Sequence, residues 1–208
     1  MTTAAEPSFL IKICGITNEE DARHAIENGA NALGFNFSRT SPRHLTPERA
    51  HEIVAAVEGS YRKVGIFVDA TAKELRDAGR IVPLDTLQLH GSMPDLPAGF
   101  HIWRAVSAQA LPKRPDPRVE AYLIDSAGEG RGGSGKTFDW SLAESFPYRK
   151  IVAGGLNESN AAEAIRACAP WGVDACSCLE AHPGKKDPDR VRNFLRAILA
   201  VANQDMEL

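Results

Sequence analysis

The chain has 208 residues, of which 25% are charged and 43% apolar, with a formal charge of −3. At roughly 150 residues per domain this is one large domain or two small ones. A single domain of this size buries about 70% of its unfolded surface and needs neither disulfides nor a structural metal. The near-neutral charge lacks the basic excess that nucleic acid or an acidic membrane surface would demand. No apolar run approaches the ~20 residues of a membrane span.

Met1–Ser8 is small and polar, without the basic start and apolar centre of a secretory signal. The four cysteines, Cys14, Cys168, Cys176 and Cys178, do not make a disulfide framework. Cys176-Ser177-Cys178 has no matching second pair, so no metal is expected. Together these features predict a reducing, cytoplasmic setting.

Short apolar runs alternate with capped helical stretches. Phe9–Cys14 reads as a strand, followed by a helix over Glu19–Asn28 that Gly29 stops. Ala30–Phe35 is the second strand, and Thr46-Pro47-Glu48 opens the second helix. Lys63–Val68 is the third strand, with a helix over Ala72–Arg80. Leu84–Leu89, Ile102–Ala105, Ala121–Asp125, Lys150–Ala153 and Val173–Ala175 complete the set, with helices at Trp140–Ser145, Ser159–Cys168 and Pro188–Ala202. After the fourth strand Met93–Pro97 has room for one turn, and Pro112, Pro115 and Pro117 forbid a long helix after the fifth.

Eight strands alternating with helices argue for a parallel sheet with helices outside. Spreading 208 residues over eight units gives 26 each, the scale of a small closed (β/α)8 barrel, a TIM barrel, as a single domain over 1–208. An open doubly wound sheet is the alternative and usually has fewer strands. Asn18–Ile26 also echoes Asn157–Ile165, with five of nine positions identical. Two well-capped helix starts with Ala-rich inner faces account for that echo, and duplication of a half-barrel is the other reading.

In a barrel, functional residues belong at the C-terminal strand ends and the loops that follow. Those positions hold Cys14, Arg43, Asp69, His90, Asp125, Gly154-Gly155 and Ser177 to Glu180. Period two places Lys12 and Cys14 on one face and the flanking isoleucines on the other. A nearby ammonium stabilises thiolate, so Lys12 is expected to lower the Cys14 pKa. A small buried hydrophobe is the other reading of Cys14. Asp125 either caps the next turn or serves as an acid, a role that needs a dry pocket or a neighbouring anion.

Gly130–Thr137 matches Gly-x4-Gly-Lys-Thr, the phosphate loop of nucleotide triphosphatases. Four residues separate it from the preceding strand, and Asp139 is the expected helix cap. The helix would therefore start too late to aim its amides at phosphate. A Gly-rich lid is the alternative. Gly154-Gly155 and Ser177-Cys178 follow the seventh and eighth strands, where barrels bind phosphate with backbone amides.

These residues coincide with a family pattern. The chain resembles the phosphoribosylanthranilate isomerases, small barrels of tryptophan biosynthesis. The likeness rests on Lys12-Ile13-Cys14-Gly15-Ile16-Thr17, Ser41-Pro42-Arg43, Leu87-Gln88-Leu89-His90-Gly91 and Leu123-Ile124-Asp125. It continues through Gly132–Trp140, Gly154-Gly155-Leu156-Asn157 and Pro183-Gly184-Lys185-Lys186-Asp187. The resemblance implies a cofactor-free Amadori rearrangement of N-(5-phosphoribosyl)anthranilate, with Asp125 as general acid and Cys14 as general base. It implies Arg43 and Asp174 as substrate-binding residues. Gly133, Ser134, Gly135, Gly154, Gly155, Ser177 and Cys178 are implied as lid and phosphate grip. The expected partner is this small molecule alone, with no nucleic acid or membrane, in a monomer or homodimer. A non-catalytic phosphosugar-binding barrel is the competing function.

The chain departs from the pattern at the eighth strand. The family usually reads Val-Asp-Val-Ser-Ser-Gly-Val-Glu, and here the residues are Val173-Asp174-Ala175-Cys176-Ser177-Cys178-Leu179-Glu180. A side chain at Cys178 replaces hydrogen at the grip, which predicts a raised KM with the chemistry kept.

Overall fold

The computed structural model describes residues 7–125 and 137–204. Eight parallel strands close into a barrel in chain order: β1 (Leu10–Ile13), β2 (Ala32–Asn36), β3 (Arg62–Val68), β4 (Thr86–His90), β5 (His101–Ser107), β6 (Ala121–Asp125), β7 (Lys150–Val152) and β8 (Gly172–Ala175). Closure runs through β1 and β8, where Ile13 lies opposite Ala175. The helices are α1 (Glu19–Glu27), α2 (Pro47–Ala55), α3 (Ala72–Ile81), α4 (Ser141–Glu144), α5 (Ala161–Cys168) and α6 (Pro188–Gln204). The barrel expected from the alternation is thus the observed fold. Among the described residues no helix is long and apolar enough to cross a membrane.

Two apolar layers follow from the period of two. Ile11, Ile13, Leu33 and Phe35 point outward and pack with the inner faces of the helices. Leu10, Ala32, Val64, Trp103, Ala121, Leu123 and Ile151 form a separate cluster, on the face that looks into the barrel. Lys12 is fully buried on that inner face, as its alternation with the isoleucines predicts. At the N-terminal end of the strands Glu120 accepts from Arg62 at 2.8 Å and from Trp103 Nε1 at 2.7 Å. This ionic floor lies at the face of the fold that serves stability.

The elements after β4 and β5 are stunted as the prolines require. No helix follows β4, and one 3₁₀ turn, Ala108–Ala110, follows β5. Three local expectations change. Among the described residues the helix between β6 and β7 is a single turn whose cap position is Trp140, not the expected Asp139; Asp139 lies two residues before the helix and accepts from the Ser141 N–H and hydroxyl. The two echoed segments use their asparagines differently: Asn18 caps α1 by accepting from Asp21 N–H at 2.9 Å. Asn157 instead accepts from the Ser159 N–H and hydroxyl in a turn, and α5 begins only at Ala161. Finally, a small hairpin of β9 (Glu180–His182) and β10 (Lys185–Lys186) follows β8. Residues this short and polar carry no alternation from which a strand could be read.

Candidate active site

A cavity of about 630 Å³ opens at the C-terminal ends of the strands. Cys14 enters it after β1, Arg43 from the loop after β2, Gln88 and His90 from β4, and Asp125 from the end of β6. Gly154 and Gly155 enter after β7, and Asp174, Cys176, Ser177 and Cys178 from β8 and beyond. The fold therefore brings Cys14, Arg43, Asp125, Asp174, Gly154, Gly155, Ser177 and Cys178 to one place. Gly133, Ser134 and Gly135, with most of the Gly130–Thr137 motif, lie outside the described residues. Asp69 does not join the site. Its backbone has a φ of 48° and its carboxylate accepts from Ser92 N–H at 2.8 Å, tying the loop after β3 to the loop after β4.

Cys14 is held by its strand neighbours: its N–H donates to Ala175 C=O at 2.9 Å. Gly34 across the strand makes room for it, because a Cβ there would lie 3.1 Å from the Cys14 Cα and Sγ. The charge next to Cys14 is not a lone ammonium. Lys12 Nζ donates to Asp174 Oδ1 at 2.8 Å. Burial works against the Lys12 charge, but Asp174 and then Cys14 more than offset it, and its pKa ends above the ordinary value. The expected lowering of the Cys14 thiol is corrected accordingly. Its hydrogen bond with Cys176, followed by burial, pushes it well above the ordinary value, and the pull of Lys12 does not reverse this.

Asp174, expected to bind substrate, spends one carboxylate oxygen on Lys12 while still lining the cavity. Arg43 is likewise engaged. Its Nε and Nη2 donate to the two oxygens of Glu180 at 2.7 and 2.6 Å. That edge of the guanidinium fork is filled by the protein, and the Nη1 side is what remains for a ligand. Lys186 Nζ donates to the same Glu180 at 3.1 Å. Burial works against the Glu180 charge, but Arg43 and Lys186 hold its pKa below the usual value. Gly15 permits this packing: it has a φ of 72°, and a Cβ there would be 2.5 Å from Arg43 Cδ. Glu180 and Lys186 were legible in the sequence only as parts of longer motifs, because their pairing depends on the unforeseen hairpin.

His90 hydrogen-bonds Gln88 at 2.9 Å. Burial, together with the positive charges of Lys12 and Arg104, holds its pKa down at about 4. The imidazole is neutral at pH 7 and offers the cavity one donor or one acceptor. Gly154 and Gly155 have φ values of 83° and 67°, a left-handed pair in which a side chain would be strained. Such a turn lets a ligand approach the backbone closely.

The sequence matches the family model for N-(5'-phosphoribosyl)anthranilate (PRA) isomerase over residues 11–197. The chain belongs to this isomerase family. An N-(5'-phosphoribosyl)anthranilate isomerase from Solibacter usitatus is 44% identical over 200 residues, covering 92% of this chain and 98% of that one. The phosphoribosyl anthranilate isomerase structure from Thermus thermophilus superposes with a TM-score of 0.81 at 30% identity, over 93% of this chain and 100% of that one. Another isomerase structure, in complex with reduced 1-(o-carboxyphenylamino)-1-deoxyribulose 5-phosphate, gives 0.73 at 31% identity, over 92% and 99%. The chain is accordingly an enzyme of the isomerase class, and the cavity lies where barrels carry their active sites.

Proposed function

We propose that this isomerase converts N-(5-phosphoribosyl)anthranilate to 1-(2-carboxyphenylamino)-1-deoxyribulose 5-phosphate, in tryptophan biosynthesis, by acid–base catalysis within one barrel domain. The observation that carries the reading is the convergence of Cys14 and Asp125, from β1 and β6, on one cavity in a chain of this family. Asp125 protonates the ribose ring oxygen, so the glycosylamine opens to an iminium. Cys14 removes the C2 proton, and the electron pair of that bond becomes the C1=C2 bond of an enolamine. Tautomerisation then gives the ketone. The rearrangement moves protons and is redox-neutral within the substrate.

Arg43 takes the anthranilate carboxylate with the part of its fork that Glu180 leaves open. The backbone at Gly154, Gly155, Ser177 and Cys178 takes the phosphate, with Gly133, Ser134 and Gly135 as a lid. Asp174 fixes Lys12 beside the base. The test is to supply phosphoribosylanthranilate to the purified chain without nucleotide or added metal and to follow loss of its anthranilate-type fluorescence. Turnover is expected, and its absence would overturn the reading.

A further inference from the structure

Among the described residues that line the cavity, Arg43 is the only arginine or lysine. Its stem crosses Gly15, the residue after Cys14: a Cβ at Gly15 would lie 2.5 Å from Arg43 Cδ and 2.9 Å from Cys176 Sγ. Its head meets Glu180, whose two oxygens accept from Nε at 2.7 Å and from Nη2 at 2.6 Å. With stem and head both seated, the guanidinium plane is fixed, and the direction of its remaining donors with it.

Glu180 is itself held. β9 and β10 pair with Lys186 opposite Glu180, and Lys186 Nζ donates to Glu180 Oε1 at 3.1 Å. The Gly184 N–H donates to the same oxygen at 3.4 Å. Asp21 on α1 ties the hairpin down, accepting from Lys186 N–H at 2.7 Å and from Lys185 Nζ at 2.6 Å. The Glu180 and Lys186 side chains are only 3% and 2% exposed. Buried ion groups of this kind add little net stability over an apolar filling, but these three define one orientation. Two cations against one carboxylate also leave one positive charge in excess, which an incoming carboxylate completes.

We propose that Glu180 is a positioning residue for the substrate: by holding two donors of Arg43 it aims the Nη1 side of the fork at the anthranilate carboxylate, and so sets the preference for a carboxylated aryl amine. The inference rests on the reading of Arg43 as the carboxylate's partner. Glu180 does not touch the substrate and acts through Arg43 alone. The hairpin after β8 thereby serves the cavity from outside it, since Lys186 keeps Glu180 charged and in place.

The experiment measures kcat and KM for phosphoribosylanthranilate and for its aniline counterpart, which lacks the carboxylate, with products resolved by chromatography. The ratio of the two kcat/KM values is the discrimination, read for the wild type, Arg43→Ala, Glu180→Asp and Glu180→Gln. Aspartate keeps the charge opposite Lys186 but is one methylene shorter, so it cannot meet both Arg43 donors at these distances. Glutamine keeps the reach but offers one acceptor to two donors. In both variants the discrimination should fall about tenfold, the scale of one misaligned charge-assisted hydrogen bond. The fall should lie in KM for phosphoribosylanthranilate, because the bonds that change are on the sugar. The aniline compound should be turned over as by the wild type. Glutamine also adds a net positive charge, so a site working by charge alone would bind the anthranilate more tightly instead. Wild-type discrimination in either variant, or an equal loss for both substrates in a folded variant, would overturn the proposal. Wild-type discrimination in Arg43→Ala would instead sink the reading of Arg43. Its loss in Arg43→Ala beside unchanged Glu180 variants removes the Glu180 role alone.

Discussion

The Lys12 ammonium donates to Asp174 Oδ1 at 2.8 Å inside the barrel, with Lys12 wholly shielded from water. This pair links β1 to β8 at the closing seam, where Lys12 lies opposite Asp174 in register. Removing one partner of a buried ion pair strands the other charge and costs about 3–5 kcal/mol. Asp174→Leu should therefore lose stability on that scale in urea denaturation. The double variant Lys12→Met/Asp174→Leu should recover much of the loss, since no charge is then stranded.

Cys178 lines the cavity beside Ser177, and among the described residues only Asp69 and Ala169 are non-glycine positions with positive φ. The backbone at 178 thus accepts a Cβ without left-handed strain, and the consequence of the cysteine falls on ligand approach. Cys178→Gly should lower KM with kcat nearly unchanged. Steady-state kinetics check this, and an unchanged KM would remove Cys178 from the phosphate grip.

His90 has a native pKa of about 4 against an ordinary 6.5, because burial and nearby cations disfavour its charged form. The unfolded chain then binds the proton more readily than the folded one. The stability that depends on the neutral ring is fully present above pH 6.5 and is lost as pH falls toward 4. Between pH 7 and pH 5 the loss amounts to about 2 kcal/mol. Denaturant midpoints at the two pH values should differ accordingly in the wild type, and the difference should shrink in His90→Gln.

Much of this architecture is legible before any coordinates, for physical reasons. Strand alternation fixes which face each residue shows, so Lys12 and Cys14 could be turned into the barrel from three letters of sequence. Pro112, Pro115 and Pro117 locate the stunted fifth connection because each removes a backbone donor. Pairing across the fold was not legible. Arg43 reaches Glu180 over 137 residues, and Lys12 reaches Asp174 over 162. Local patterns carry no information on such contacts, and both change what the residues do. The expected activation of Cys14 by Lys12 failed on this point, because Asp174 and Cys176 stand where only the ammonium was in view. Asp69 failed for a related reason: a strand-end acid can serve a neighbouring loop as readily as a cavity.

In the proposed reaction Cys14 and Asp125 are the proton-transferring pair. The most direct test is the rate of phosphoribosylanthranilate turnover in Cys14→Ala and Asp125→Asn against the wild type, with folding verified by circular dichroism. Each proton-transfer role is worth about 10²–10⁴-fold, so each variant should fall by that factor in kcat while remaining folded. Wild-type turnover in a folded Cys14→Ala variant would contradict the account.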